Sequence, residues 1–346
     1  MSHVFKEIEG RTAVSSTFRD TQKSSANVRP TMELGHIVYP PNEESISQNL
    51  QPWHRNSSSY YVYNPTYINN DGCGVTSYYN DNINSLIPNG ESILPGQWPW
   101  VVALYTKNET KLKHYFLCTG SILTNRHILT AAYCMKLFLI GKFGYSEWRD
   151  VLIVFGLSAE RKLNMKETIT RKMSSYTVHP SWHEYTADSD LAIITLTKSV
   201  EYSPFIKPIC IWSGPPDLED LADRTGYVVG WGEFEFNVSK LGVPRMIRVP
   251  IINKEDCIAS DSRFSYFISN RTFCAGLRDG LFVNGYCDAD IGSGMVFFNA
   301  VTGRYELRGV TSKSIHRAGI CFSKQYVIFV DVAKYVSWIR DQVFNS

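Results

Sequence analysis

The sequence lacks any apolar run of the roughly 18 residues that a helix needs to cross a bilayer. Its longest apolar stretches, around Phe138 and Phe297, are short and are interrupted by polar or charged residues. The N-terminal stretch, MSHVFKEIEGRTAVSSTF, also has no apolar segment that could serve as a signal peptide. We therefore expect no membrane span.

A large net charge is also lacking. Lys and Arg total 35 and Asp and Glu total 33, which gives a formal net charge of +2. A protein whose main partner is nucleic acid or a membrane surface usually carries a much larger basic excess. We expect no nucleic-acid partner.

No two of the eight cysteines form a CxxC pair, which disfavours a zinc ribbon. We accordingly predict no metal and no cofactor. An even number of cysteines spread through a β-rich region indicates four disulfides formed in an oxidising compartment. Four N-x-S/T sequons agree with a secreted, extracellular glycoprotein. These candidate glycosylation sites are Asn56, Asn108, Asn237 and Asn270. Because no signal peptide is visible, either the N-terminus is incomplete or export is unconventional.

Residues 1–72 have little periodicity and are rich in Ser, Asn, Tyr, Pro and charge. Their stretch SSSYYVYNPTYINN contains tyrosines but almost no aliphatic partners for them. We predict a disordered or extended N-terminal segment, because these residues cannot bury enough apolar surface to order themselves. A tyrosine-bearing docking segment is the alternative.

Short apolar runs alternate with turn clusters in the remainder, residues 73–346. Such spacing indicates an all-β domain, either a barrel or a sandwich. The runs are WPWVVALY, YFLCTGSILT, HILTAAY, VLIVFG, LAIITL, TGYVVGWG, MIRVPII, GMVFF, YELRGVTS and YVIFVDV. A packed amphipathic helix should close the chain, because apolar residues recur there at helical spacing. They are Val332, Val336, Ile339 and Val343.

Seven motifs follow one another in register along residues 73–346: PGQWPWVVALY, LTAAYC, DSDLAIITL, GYVVGWG, TFCAG, CDADIGSGM and YVSWI. Together they resemble the landmarks of the chymotrypsin-like (trypsin-like) serine protease family. The resemblance implies two six-stranded antiparallel β-barrels with a C-terminal α-helix. It also implies four disulfides, namely Cys73–Cys210, Cys118–Cys134, Cys257–Cys274 and Cys287–Cys321.

At two of the three catalytic positions that the resemblance implies, the residue present cannot perform the catalytic step. Asp190 keeps the carboxylate, but Tyr133 stands where the family has its histidine and Ile291 where it has its nucleophile. A phenol, with a pKa of about 10 against about 6.5 for imidazole, is a poor general base. Isoleucine has no heteroatom that could attack a carbonyl. We predict an inactive serine endopeptidase homologue, in which the Tyr133 hydroxyl donates a hydrogen bond to Asp190.

Other positions of the implied cleft depart from the family pattern as well. Ala289 replaces the glycine whose amide belongs to the oxyanion hole, and alanine avoids backbone conformations that glycine reaches. A glycine stands at the base of the specificity pocket instead of an aspartate, and the S-W-G wall is changed at two of its three residues. These specificity-pocket positions are Gly285, Ser312, Lys313 and Ser314.

Three further residues that could carry chemistry have plainer interpretations. We interpret Ser293 as a surface serine in a glycine-rich turn and His127 as a partly buried strand histidine. Asp290 would receive the new N-terminus, Ile87, of an activated family member. No basic residue precedes Ile87 to mark a trypsin-like cut, so we expect no such activation and a solvated Asp290.

The resulting prediction is a secreted, non-catalytic serine protease homologue of arthropod type. Proteins of this class resemble cofactors and regulators of extracellular proteolytic cascades in innate immunity and development, so the predicted partners are proteases or zymogens. One alternative is an active endopeptidase that uses unusual residues. Another is a binder of anionic glycans or microbial surfaces, suggested by the basic stretch from Arg161 to Lys172, although such residues more often form a solvated loop.

Overall fold

The computed structural model describes most of the predicted domain. The described residues are 62–63, 72–76, 78–79, 91–108, 113–140, 151–156, 168–221, 224–230, 244–276, 290–317, 320–321 and 326–344. The chain is divided into two units, Met1–Asn56 and Ser57–Ser346, and the first lies wholly outside these residues. Of the segment 1–72, only Val62–Tyr63, in a short strand, and Gly72 are described, so its predicted disorder stays a prediction.

Strands make up most of the described secondary structure. In chain order they are β1 (Val62–Tyr63), β2 (Tyr78–Tyr79), β3 (Glu91–Ser92), β4 (Val101–Asn108), β5 (Lys113–Ile122), β6 (His127–Thr130), β7 (Leu152–Phe155), β8 (Ile169–Val178), β9 (Ala192–Leu196), β10 (Cys210–Ile211), β11 (Thr225–Gly230), β12 (Arg245–Ile252), β13 (Thr272–Ala275), β14 (Gly294–Asn299), β15 (Arg304–Lys313), β16 (His316–Arg317), β17 (Ile320–Cys321) and β18 (Val327–Asp331).

Helices are short and few in the same residues. The α-helices are α1 (Ala132–Ile140), α2 (Lys254–Ser260) and α3 (Val336–Phe344), and 3-10 turns occur at Glu219–Leu221, Ser262–Tyr266 and Val332–Lys334. None of these described helices has the length and the apolar content that a bilayer-spanning helix needs.

The first barrel closes in the strand order β4-β5-β6-β9-β8-β7. All of its pairings are antiparallel. Its interior is filled by aliphatic side chains, among them the fully buried Leu104, Ile122, Leu129 and Ile153. Branched residues of this kind favour strands because they pack well on a pleated surface.

The second barrel closes in the order β11-β12-β13-β18-β15-β14, again with antiparallel pairings throughout. Strand β10 joins β15 in parallel, and β3 pairs with β12. Phe273 and Phe329 stack inside this barrel with ring centres 5.4 Å apart, next to Met295 and Phe297. The predicted architecture of two six-stranded antiparallel barrels is confirmed.

One continuous apolar cluster joins the two barrels. It contains Trp100 and Leu129 from the first barrel, Val310 from the second, and Ile339 from α3. Helix α3 begins at Val336, one turn later than the start of the predicted apolar face, because Asp331 caps a 3-10 turn before it. The closing amphipathic helix is confirmed.

Two elements differ from the sequence-based expectation. The run HILTAAY was predicted as a strand, but β6 ends at Thr130 and α1 begins at Ala132. Strand β8 was not predicted, because Met173 is its only buried side chain and the rest of the strand has no apolar pattern. Its pairing with β7 and β9 decides its conformation instead.

Three of the four predicted disulfides are formed: Cys73–Cys210, Cys118–Cys134 and Cys257–Cys274. The second of them ties β5 to α1 beside the implied cleft. Cys287 lies outside the described residues, so its pairing with Cys321 stays a prediction.

The second barrel also contains a buried ion pair that no sequence pattern predicted. Arg308 Nε lies 3.0 Å from Asp331 Oδ1, and the two side chains are 0% and 1% exposed. The guanidinium also donates to the carbonyl oxygens of Pro215 and Pro216 and lies 4.8 Å from the ring centre of Trp212. These contacts hold the segment after β10 against the barrel.

Candidate functional site

The Asp190 carboxylate lies fully buried at the junction of the two barrels. Its Oδ1 accepts a hydrogen bond of 2.8 Å from the main-chain N–H of Tyr133, at the start of α1. Its Oδ2 accepts one of 2.5 Å from the Ser312 hydroxyl, near the end of β15. Because Tyr133 follows a strand of the first barrel and Ser312 belongs to the second, this one carboxylate connects both barrels.

Opposing influences act on the pKa of Asp190. Burial raises the pKa of this carboxyl, whereas Lys313, the Ser312 hydroxyl and the main-chain N–H groups of Tyr133 and Ala132 act in the opposite direction. The four opposing groups all stabilise the carboxylate form. The side chain therefore has a structural role that does not depend on a histidine.

The preceding residue, Ser189, sets the position of Asp190. Ser189 has a φ of 57°, in the left-handed region that residues other than glycine rarely occupy. The Tyr335 hydroxyl holds it there, since it accepts from the Ser189 N–H at 2.9 Å and lies 3.1 Å from the Ser189 hydroxyl. Sequence reasoning missed both residues, because a lone serine and a tyrosine distant along the chain give no pattern.

Tyr133 is half-buried in the first turn of α1, with an ammonium group over its ring. Lys313 Nζ lies 4.4 Å from the ring centre and donates to the main-chain carbonyl of Glu184 at 3.1 Å. Lys136 pairs with the Glu184 carboxylate. Tyr133 thus contacts Asp190 through its main-chain N–H, and the predicted hydrogen bond from its hydroxyl stays a prediction.

Ile291 is a core residue, 5% exposed, in the apolar cluster that joins the barrels. Its carbonyl accepts from the Thr119 N–H at 3.0 Å and lies 3.9 Å from Cys134 Sγ. The next residue, Gly292, has a φ of 85°, and a Cβ there would come within 2.2 Å of the Thr119 oxygen. The turn is therefore packed directly on the first barrel and requires glycine.

The comparison with known proteins agrees with this geometry. The family model described as Trypsin matches residues 87–339. The chain belongs to the trypsin family. Serine protease gd of Drosophila melanogaster is 29% identical to this trypsin-family chain over 279 residues, which are 72% of the chain and 51% of that protein. The chain thus spans about half the length of serine protease gd.

Two other relatives of this trypsin-family chain are matched over most of their length. The clotting factor G beta subunit of Tachypleus tridentatus is 27% identical over 284 residues, which cover 81% of the chain and 85% of that protein. Chymotrypsin-C of Mus musculus is 29% identical over 264 residues, which cover 76% of the chain and 90% of that protein.

The structure brings together the implied triad positions and most of the implied specificity wall. Ser312 is buried on Asp190, and Lys313 and Ser314 are half-buried beside it. Ala289 and Gly285 lie outside the described residues, as does Ile87. Of the sequons, Asn270 is exposed and Asn108 ends β4, whereas Asn56 and Asn237 are not described.

Two neighbours of Ile291 correct the sequence-based interpretation. Ser293, expected at the surface, is fully buried, and its hydroxyl has no hydrogen-bond partner among the described residues. Asp290, expected to be solvated, is also fully buried, so close to Gly230 that a Cβ there would meet Asp290 Oδ1 at 1.8 Å. The reason is that the turn is folded under β15, where the Thr311 N–H donates to the Ser293 carbonyl and the Gly292 N–H donates to the Thr311 carbonyl, both at 2.9 Å.

His127 is buried in β6, as predicted. The Thr124 hydroxyl oxygen accepts from the N–H groups of Arg126 and His127, both at 3.1 Å, and lies 2.8 Å from His127 Nδ1. This arrangement leaves the hydroxyl proton where the Nδ1 of a neutral histidine can accept it. Burial, and then the charge of Arg126, lower the pKa of His127.

Removing the Asp190 carboxylate should destabilise the junction of the barrels. In Asp190→Ala the Ser312 hydroxyl and two main-chain N–H groups lose their acceptor, and we predict a loss of about 3 kcal/mol or more in the free energy of unfolding. Asp190→Asn is the matched control, because its amide keeps an acceptor oxygen and can donate to Ser312; it should lose about 1 kcal/mol. Urea denaturation of both variants measures the difference, and equal losses would contradict this role for the carboxylate.

Lowering the pH should destabilise the protein through His127. Its pKa is lowered in the folded state, so between the unfolded-state pKa of about 6.5 and the folded-state pKa the unfolded chain binds more protons. Stability is therefore lost as the pH falls through this window. His127→Asn keeps an acceptor for Thr124 and lacks this titration. We predict that wild type loses stability relative to the variant as the pH falls below about 6.5, and a constant difference would contradict the lowered pKa of His127.

Proposed function

We propose that this trypsin-family chain is a secreted, non-catalytic homologue that binds other proteins in an extracellular proteolytic cascade. The observation that carries the proposal is the pair of side chains at the base and nucleophile positions of the family. One is the phenol of Tyr133 and the other is the alkyl chain of Ile291. Neither can perform the step that its position requires.

Proton removal is the first step that lacks a suitable group. A phenol with a pKa of about 10 is protonated at neutral pH and donates a proton more readily than it takes one. The Lys313 ammonium lies 4.4 Å from the ring centre of Tyr133. Losing the base alone costs a serine protease of another fold about a million-fold in turnover.

Nucleophilic attack is the second step that lacks a suitable group. The Ile291 side chain packs in the core and cannot be activated by any neighbour. The nearest hydroxyl in sequence, that of Ser293, is fully buried behind the turn. An active endopeptidase with unusual residues would need to expose this hydroxyl and supply a base for it, so nothing in the described residues favours that alternative.

Lys313, at a position of the implied specificity wall, makes two contacts beside Tyr133. Lys313 extends from β15 of the second barrel to the main-chain carbonyl of Glu184, which belongs to the loop before Asp190. It covers one face of the Tyr133 ring on the way. Lys313 therefore joins the second barrel to the loop before Asp190, next to the ring that stands at the base position.

The disulfides and the similar proteins support the proposed location and partner class. Three disulfides favour an oxidising compartment and hence a secreted protein. Two of the similar proteins come from arthropods, and one of them is named a clotting factor subunit. We therefore propose a protease or zymogen of an immune or developmental cascade as the partner.

A fluorophosphonate probe tests the absence of catalysis, because its attachment requires an activated serine. We predict that the purified full chain is not labelled under conditions that fully label chymotrypsin-C. The matched variant is Ser293→Ala, which removes the hydroxyl nearest to Ile291 along the chain. Labelling of the wild type that disappears in Ser293→Ala would show that a serine is active and would overturn the proposal.

Crosslinking in native extracellular fluid tests the binding half of the proposal. We predict that mass spectrometry of the crosslinked material identifies a serine protease or its zymogen, enriched over a control with inactivated chymotrypsin-C as bait. That control shares the fold, so it removes proteins that bind any barrel of this kind. Enrichment of no protease or zymogen over the control would contradict the proposed partner.

A further inference from the structure

Four basic side chains gather at one end of the first barrel. They come from three segments that are distant in sequence: the turn before β6, strand β8 and the turn after β9. We call them the basic cluster; its members are Arg126, Arg171, Lys172 and Lys198. Arg126, Lys172 and Lys198 are exposed, and Arg171 is half-exposed.

Main-chain hydrogen bonds hold the three segments together. The N–H of Thr197 donates to the carbonyl of Lys172 at 3.0 Å, and the N–H of Leu196 donates to the carbonyl of Arg126 at 2.9 Å. The turn after β9, which carries Lys198, is therefore fixed between the other two segments. The positions of the four cations follow from the barrel itself.

The two arginines are further restrained by their side chains. Arg126 Nε donates to the carbonyl of Leu196 at 3.3 Å, and Arg171 Nε donates to the carbonyl of Ser199 at 3.2 Å. Arg171 also donates to the carbonyl of Thr170 at 2.9 Å. Neutral carbonyls orient these guanidinium groups but leave their charge uncompensated. Less side-chain entropy is then lost when an anion binds.

No carboxylate neutralises the basic cluster within the described residues. The ion pairs found there involve other cations, namely Lys136, Arg263, Arg308 and Lys334. Glu201, the nearest carboxylate along the turn after β9, makes no ion pair there. The whole chain has a formal charge of only +2, so the cluster is a local concentration of charge. Such a concentration attracts anions over about 8 to 10 Å at physiological salt.

The residues between the cations indicate the class of anion. They carry hydroxyl or amide groups, and are Thr124, Asn125, Thr170, Thr197 and Ser199. A single-stranded nucleic-acid site would present aromatic rings for stacking, and a lipid-binding face would present large apolar side chains. Hydroxyl and amide groups suit the sulfates and hydroxyls of a sugar chain.

We propose that the basic cluster binds a sulfated polysaccharide. Three disulfides favour an oxidising, extracellular setting, where anionic glycans are the abundant polyanions. Of the sequence stretch from Arg161 to Lys172, only Arg171 and Lys172 contribute described cations, and they lie in β8 and not in a loop. The site does not depend on whether the cleft is catalytic.

Charge reversal at two exposed lysines tests the site with heparin as the probe. Lys172→Glu combined with Lys198→Glu changes side chains that make no described hydrogen bond, so the fold should be kept. We predict that wild type binds heparin at physiological salt and that the double variant binds about tenfold or more weakly. The matched control, Lys254→Glu with Arg340→Glu, makes the same charge change at exposed positions elsewhere and should bind like wild type.

Competing polyanions decide the class of ligand. Desulfated heparin should not compete, whereas single-stranded DNA, polyglutamate and anionic vesicles should compete far less well than heparin at equal charge. Absence of heparin binding, or equal losses of heparin affinity in the two double variants, would overturn the proposal that the basic cluster is a binding site. Competition by DNA, polyglutamate or vesicles as strong as that by heparin would overturn the assignment to a sulfated glycan. Neither result bears on the proposed absence of catalysis.

Discussion

The buried carboxylate of Asp190 is the interaction on which the arrangement of the site depends. It accepts from the Tyr133 N–H on one barrel and from the Ser312 hydroxyl on the other. A carboxylate taken from water is costly unless several donors compensate it, and here two main-chain N–H groups, a hydroxyl and the nearby Lys313 do so. These donors belong to the fold, so the buried carboxylate is compensated whether or not a histidine stands at position 133.

Other residues at the junction add packing contacts that need no catalytic group. Ile291 adds apolar volume to the cluster between the barrels, and Gly292 keeps the turn in contact with Thr119. Lys313 connects β15 with the loop before Asp190. These residues make packing and polar contacts across the same junction. In the proposed function, the two barrels serve as a disulfide-linked support for the binding surfaces.

The sequence was informative where a residue's chemistry is local and uninformative where it depends on partners far along the chain. Alternating apolar runs predicted the strands, and motifs in register located Tyr133, Asp190 and Ile291. Strand β8 was missed because its side chains are mostly exposed. Ser293 was misjudged because a glycine-rich turn resembles a surface loop, although this one is covered by β15. The basic cluster joins segments whose proximity only the barrel creates, so no sequence window contains it.

We propose that Tyr133 and Ile291 leave the implied triad without a nucleophile and a base. Mass spectrometry of a diverse peptide library after prolonged incubation with the purified full chain tests this claim without assuming a preferred substrate. We expect the library to stay intact to the same extent as in buffer alone. Reproducible cleavage that is abolished by changing a single serine or histidine of this chain would contradict it.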